Sequence, residues 1–229
     1  MKKQTSKKSA GRTGRKTKRG RERNQITKLN LLLMLAAAIG LLLFAARVFL
    51  QKQTTGGFSD PTRLSDSVLE YRETVEFYAE KNEIEEYTDY LLAIMQVETG
   101  GRGSDVMQSS ESLGLPPDSL DPEDSIAQGC SYFAEILGDA EKKGCDLDAA
   151  IQAYNFGIDY LDFAAKRGGD SDLDMATEFA EWKSGGETTE YRSDLALEVN
   201  GGWRYKYGNM FYAELVKKIV ENLENSQMR

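Results

Sequence analysis

The sequence predicts an all-α globular domain carried behind a single transmembrane helix and a disordered basic tail. Three observations carry that expectation. The charge reverses sign near residue 28, an uncharged apolar run follows at once, and helical rather than alternating periodicity governs most of what remains.

The tail comes first. Residues 1–28 hold 12 of the 29 Lys/Arg and one acid, Glu22, for a charge of +11. The other 17 basic and 36 acidic residues give −19, so the formal total of −8 hides two opposed regions. A basic block of this kind suits a nucleic-acid contact, a membrane-proximal anchor or a solvated tail. Its neighbour decides. Leu29 to Ala46 is eighteen residues without a charge, followed by Arg47 and the apolar Val48-Phe49-Leu50. At about 1.5 Å per residue it covers about 27 Å, close to the hydrocarbon thickness of a bilayer. A cleaved signal peptide is the rival, but its apolar region is about 7–15 residues and ends at a small-residue site, which Arg47-Val48-Phe49 is not. The expected layout is a cytoplasmic tail at 1–28, a span at 29–50, a polar linker at 51–61, and a domain at 62–229 outside the cell. Beside a membrane span, +11 reads as a topology signal, so no nucleic-acid partner is expected.

The helices follow in order. Leu64, Val68, Tyr71, Val75 and Tyr78 form one apolar stripe, and Tyr87, Leu91, Ile94 and Glu98 repeat its spacing in a second helix. Asp121-Pro122 opens a third with a cap and a first-turn proline; Ile126, Cys130, Phe133, Leu137 and Ala140 line it, and Gly144 closes it. Asp146 caps a fourth, ended by Gly157. Shorter helices are expected near 158–167 and 172–183, and Phe211, Leu215, Ile219 and Leu223 mark a last amphipathic one. Cys130 and Cys145 are expected to stay unpaired. About 12 helical steps at about 1.5 Å separate them along the third helix, whereas a disulfide needs Cα atoms within about 7 Å.

Composition narrows the chemistry. The chain has no histidine. Ser-His and Cys-His nucleophile pairs and His-containing zinc sites are therefore excluded. No metal site is expected and no cofactor motif is present, which leaves carboxylates, Tyr and Lys. Among these Glu98 stands out, because it continues an apolar stripe seven residues after Leu91 and four after Ile94. Burial raises a carboxyl pKa, and Gly100-Gly101 places the residue near the negative end of its helix, which acts the same way. A carboxylic acid kept protonated near neutrality is what glycosidic cleavage uses as general acid. The alternative is a boundary glutamate turned to solvent or paired with Arg102.

The surrounding residues add to this. Glu98-Thr-Gly-Gly-Arg-Gly-Ser-Asp105, then Met107-Gln108-Ser109-Ser110-Glu111-Ser112, and later Ala153-Tyr154-Asn155-Phe156-Gly157 stand in an order, with about 55 residues from glutamate to Tyr154, that is more specific than any of them alone. They resemble the lysozyme-like (CwlT-type muramidase) domain of Gram-positive cell-wall hydrolases, more distantly related to goose-type lysozymes and soluble lytic transglycosylases. The likeness runs from about residue 62 to 223. It implies a lysozyme-like helical fold that cleaves the β-1,4 bond between N-acetylmuramic acid and N-acetylglucosamine. Glu98 matches the family's acid, Asp105 its second acidic position, and Met107, Gln108, Ser109 and Ser110 the loop lining the cleft. Tyr154 and Asn155 match the motif that faces the glutamate. Thr99 departs from the usual serine, and no peptidase domain is expected.

Two readings of Asp105 stay open: a cleft group that positions water, attacks or stabilises an oxocarbenium ion, or the cap of a turn after Gly103-Ser104. Trp203, Tyr205 and Tyr207 either stack on sugar or pack a loop on the core; the family often has Tyr-Gly here, so Tyr207 is the preferred binding residue. The product, by hydrolysis or by transglycosylation to a 1,6-anhydro end, is also open, as is a protein that holds glycan without cutting it. Peptidoglycan glycan strands are the expected partner. A tether suits remodelling beside a secretion or conjugation machine, or during growth.

Overall fold

A computed structural model describes residues 62–228. The expected tail, span and linker lie outside the described residues. Among the described residues no helix is long and apolar enough to cross a membrane.

Nine α-helices are present among the described residues: α1 (Asp66–Leu69), α2 (Arg72–Lys81), α3 (Thr88–Glu98), α4 (Pro122–Lys143), α5 (Leu147–Phe156), α6 (Asp159–Ala165), α7 (Leu173–Ser184), α8 (Asp194–Asn200) and α9 (Tyr212–Gln227). The caps anticipated from sequence form. Asp121 accepts from the Asp124 N–H, Asp146 from the Ala149 N–H, and Gly144 closes α4 in the left-handed region. Helix α9 packs across α3 and α5, while α2 and α5 flank the long α4. One core joins them, with Leu91, Ile94, Ile126, Phe133, Ile151, Tyr160, Phe179 and Phe211 all buried.

Three features differ from the pattern. The first stripe is two helices, broken at Glu70 and Tyr71. The break lays Ser65–Val68 against the end of α3. The Ser65 hydroxyl donates to the Gly100 carbonyl at 2.9 Å, and a Cβ on Gly101 would meet the Ser67–Val68 backbone at 2.7 Å. Next, β1 (Thr188–Glu190) and β2 (Trp203–Tyr205) pair antiparallel, with Thr188 opposite Tyr205 and Glu190 opposite Trp203. Strands of three residues are too short to show alternation. Helix α8, capped by Ser193 and stopped by Gly201, fills the connection between them. Cys130 lies in the core, Cys145 is half-buried, and both thiols are free.

Candidate active site

Glu98 is the last residue of α3, and its helix ends because Gly100 and Gly101 take φ of 65° and 72°. The Thr99 hydroxyl then donates to the Val106 carbonyl at 2.7 Å and accepts from the Gly101 N–H, tying the helix end to the loop beyond. Glu98 opens onto a recess of about 360 Å³ whose walls include Gln108, Ser109, Glu111, Ser112, Tyr132, Tyr154, Asn155 and Phe156.

Burial pushes the Glu98 carboxyl up to about 7; a hydrogen bond from Tyr212 pulls it down and the charge of Asp105 pushes it further up. Tyr212 Oη donates to Glu98 Oε1 at 2.6 Å across 114 residues of sequence. Its ring stacks on that of Tyr154, with planes 7° apart and centroids 6.5 Å apart. The Tyr154 hydroxyl donates in turn to the Met107 carbonyl at 3.1 Å. Burial raises the pKa of both phenols, so both are neutral donors.

Asp105 is 1% exposed and lies behind the loop rather than on the recess wall. Its Oδ1 accepts from the Ser109 N–H at 2.9 Å and the Ser125 hydroxyl at 2.6 Å. Its Oδ2 accepts from the Ser110 N–H at 3.1 Å and, closer still, from the Ser110 hydroxyl. Four donors occupy the lone-pair sites a carboxylate offers. Burial alone would raise its pKa, yet these bonds from Ser110, Ser125 and the two backbone N–H groups hold it below the usual carboxylate range. Asp105 is thus ionised while Glu98 stands near neutrality, a separation of two carboxyls into different protonation states.

The expected site residues divide accordingly. Gln108, Ser109, Tyr154 and Asn155 reach the recess with Glu98. Met107 and Ser110 are fully buried and support the loop from behind. Met107 lies so close over Gly129 of α4 that a Cβ there would meet its sulfur at 2.7 Å. Gln108 holds a left-handed φ of 48°, and its Nε2 donates to the Asp105 carbonyl at 3.0 Å and Asp118 Oδ1 at 2.8 Å. Tyr207 stands at the edge of the site: it donates to the Phe156 carbonyl at 2.9 Å and packs on the Phe156 ring. Asn155 Oδ1 accepts from the Asn209 N–H at 2.6 Å, so the amide's donor end is what it has left to offer. Trp203 and Tyr205 lie on β2, edge to face with ring centroids 5.2 Å apart.

Tyr132, Glu111, Ser112 and Tyr212 join the site without having been singled out. Tyr212 is the instructive omission. It follows Phe211, which the stripe of the last helix takes, and no local pattern aims it at Glu98. Among the described residues no group of three or more acidic or cysteine side chains is placed to hold a metal ion.

Comparison with known proteins shows the family to which this fold belongs. A family model described as lysozyme-like matches residues 65–220. The chain is 32% identical to the uncharacterized membrane protein YocA of Bacillus subtilis (strain 168), over 84% of both chains. It is 38% identical to a pneumococcal vaccine antigen A homolog of Streptococcus pyogenes serotype M6, over 65% of this chain and 79% of the other. Identity to the bifunctional muramidase/DL-endopeptidase CwlT of Bacillus subtilis (strain 168) is 36% over 71% of this chain and 44% of that protein. A crystal structure from Staphylococcus aureus subsp. aureus Mu50, described as similar to a lipoprotein of the NLP/P60 family, superposes with a TM-score of 0.68 at 49% identity, covering 69% of this chain and 54% of that one. The chain thus spans about half the length of these last two proteins.

Proposed function

The chain belongs to the lysozyme-like family, and from that premise we propose that it is a membrane-anchored peptidoglycan glycosidase, a muramidase that cuts the β-1,4 bond between N-acetylmuramic acid and N-acetylglucosamine. The observation that carries this reading is the Glu98 carboxyl, held near pKa 7 at the wall of a polar recess with an ionised Asp105 behind it. Protonated Glu98 gives its proton to the glycosidic oxygen as the bond to the muramic acid C1 breaks, and an oxocarbenium-like centre develops at that carbon. Tyr212 holds the carboxyl in place and steadies the carboxylate left behind. Asp105 acts through position and field: it folds residues 105–110 into the recess wall, and its charge adds to the burial that keeps the proton on Glu98 until substrate arrives. Gln108, Ser109, Tyr154 and Asn155 are the residues proposed to hold the sugars, with Tyr207 supporting Phe156 from the side.

Glu111 is the other carboxylate on the recess wall and is proposed to hold the attacking water. If Glu111→Gln leaves the yield of reducing ends unchanged, that role is removed. Muropeptides released by the protein, analysed by mass spectrometry, are expected to end in reducing muramic acid. A 1,6-anhydro end would establish the lytic transglycosylase alternative, and no release at all would leave a glycan-holding protein. Residues 29–50 are proposed to span the membrane with the Lys/Arg-rich tail inside. Protease added to wall-stripped cells should then remove residues 51–229 and spare the tail; protection of the C-terminal domain would overturn the topology and the substrate with it.

A further inference from the structure

A second recess, of about 590 Å³, lies between α6 and α7 and shares no lining residue with the Glu98 recess. Its floor is aromatic. Trp182 is 65% exposed, unusual for so large an apolar side chain. The indole is nonetheless held in place. It stacks on Phe163 with planes 13° apart, meets Phe179 edge-on at 5.7 Å, and has the Lys183 ammonium 5.4 Å from its ring. The Arg167 guanidinium lies 3.5 Å from the Phe163 ring centroid, so the floor is fixed from beneath and beside.

Its rim carries both signs of charge. Lys143, Lys166, Arg167 and Lys183 gather here, four of the fifteen Lys/Arg of residues 62–229, in a span with 35 acids. Asp159, Asp162 and Glu178 stand between them. Arg167 pairs with Glu178 at 2.6 Å, Lys143 with Asp162 at 2.8 Å and Lys183 with Asp159 at 3.6 Å. A locally balanced rim in a strongly acidic domain removes the repulsion that an anionic ligand meets elsewhere on this surface.

We propose that this recess is an accessory binding site for peptide-bearing glycan, in which a sugar ring stacks on Trp182 and the peptide's carboxylate and amino groups pair with the alternating rim. The mixed rim selects the ligand. A phosphate polymer carries one sign of charge and would meet three carboxylates, and a neutral oligosaccharide would leave the rim unused. The position suits a site that keeps the enzyme on its substrate, since Phe179 touches both Trp182 and Phe156, and Phe156 lines the Glu98 recess. The choice of ligand rests on the cell-wall reading above.

The test uses the full-length chain in mild detergent with Glu98→Gln, which removes the proposed acid so that glycan is not cut during the titration. The chain has two tryptophans, so adding Trp203→Phe leaves Trp182 as the only indole to report. Peptide-bearing glycan fragments freed of phosphate polymer should change its fluorescence saturably. Lys166→Glu or Arg167→Glu should weaken that binding about tenfold, and Trp182→Ala should lower retention on insoluble walls by a similar factor. Added salt should weaken it as well. A response of equal affinity from chito-oligosaccharide or from a polyol-phosphate polymer would overturn the assigned ligand. No saturable response, or full wall retention by Trp182→Ala, would overturn the site.

Discussion

Two carboxyl groups seven residues apart in the chain meet opposite fates in the fold. Glu98, at the end of α3, accepts a hydrogen bond from the Tyr212 hydroxyl, and burial carries its pKa to about 7. Asp105 is buried as well, at 1% exposed, yet four donors from the following loop and α4 hold it ionised. Burial alone therefore does not set a carboxyl's protonation state. The donors that follow it inside count against that burial, and here they separate an acid from a structural anion.

The sharpest test of that contrast is Glu98→Gln. Shape and burial persist but the proton donor is lost, so glycan cleavage should fall by at least about 10³-fold. Stability should move the other way. Because the folded-state pKa lies above the ordinary 4.5, the folded chain holds more protons than the unfolded chain between those values, and stability falls as pH rises through about 7. The variant escapes that loss, gaining on the order of 1–3 kcal/mol at pH 8 relative to wild type and little at pH 4. Denaturant titrations at the two pH values check the sign, and near-normal cleavage would remove Glu98 from the mechanism.

Asp105→Asn should show the reverse profile. One oxygen and two donors replace two oxygens, so an N–H must face the donors of Ser110 or Ser109. The expected loss is about 2–4 kcal/mol of stability, visible as a lower melting temperature. An unchanged melting temperature with lost cleavage would instead make Asp105 a direct participant.

Tyr212→Phe probes the hydrogen bond that the Glu98 carboxyl accepts. That bond favours the ionised form, so its removal raises the Glu98 pKa and moves the alkaline limb of the pH–rate profile upward. Turnover below that limb should change less than about tenfold. An alkaline limb that stays in place or moves downward would separate Tyr212 from Glu98. The smallest effect is expected from Thr99→Ser. The hydroxyl that bonds Val106 and Gly101 is kept, and stability should stay within about 0.5 kcal/mol. A larger loss would show that the Thr99 methyl, and not its hydroxyl, secures the turn beneath Glu98.

How much of this was legible follows the range of each interaction. Asp121, Pro122, Gly144 and Asp146 bounded α4 and α5 in sequence because capping acts over three or four residues. The Glu98 anomaly was visible for the same reason, as a polar residue out of place in a period of 3.6. Strands β1 and β2 were not visible, since each is three residues long and draws its partner from across α8. Nor was the division of the Met107–Ser110 stretch, where Met107 and Ser110 turn to the core while Gln108, with a left-handed backbone, and Ser109 reach the recess.

The sequence by itself determined the helical content, the caps, the absence of histidine chemistry and one carboxyl placed among apolar residues. Tertiary structure decided which carboxyl reaches the recess, which is spent on the loop, and that Tyr212, 114 residues away, would hold the first. The physical reason is desolvation. A pKa depends on which groups exclude water from a carboxyl and which donors replace that water. Those groups come from α4, α5 and α9, brought together only when the core closes.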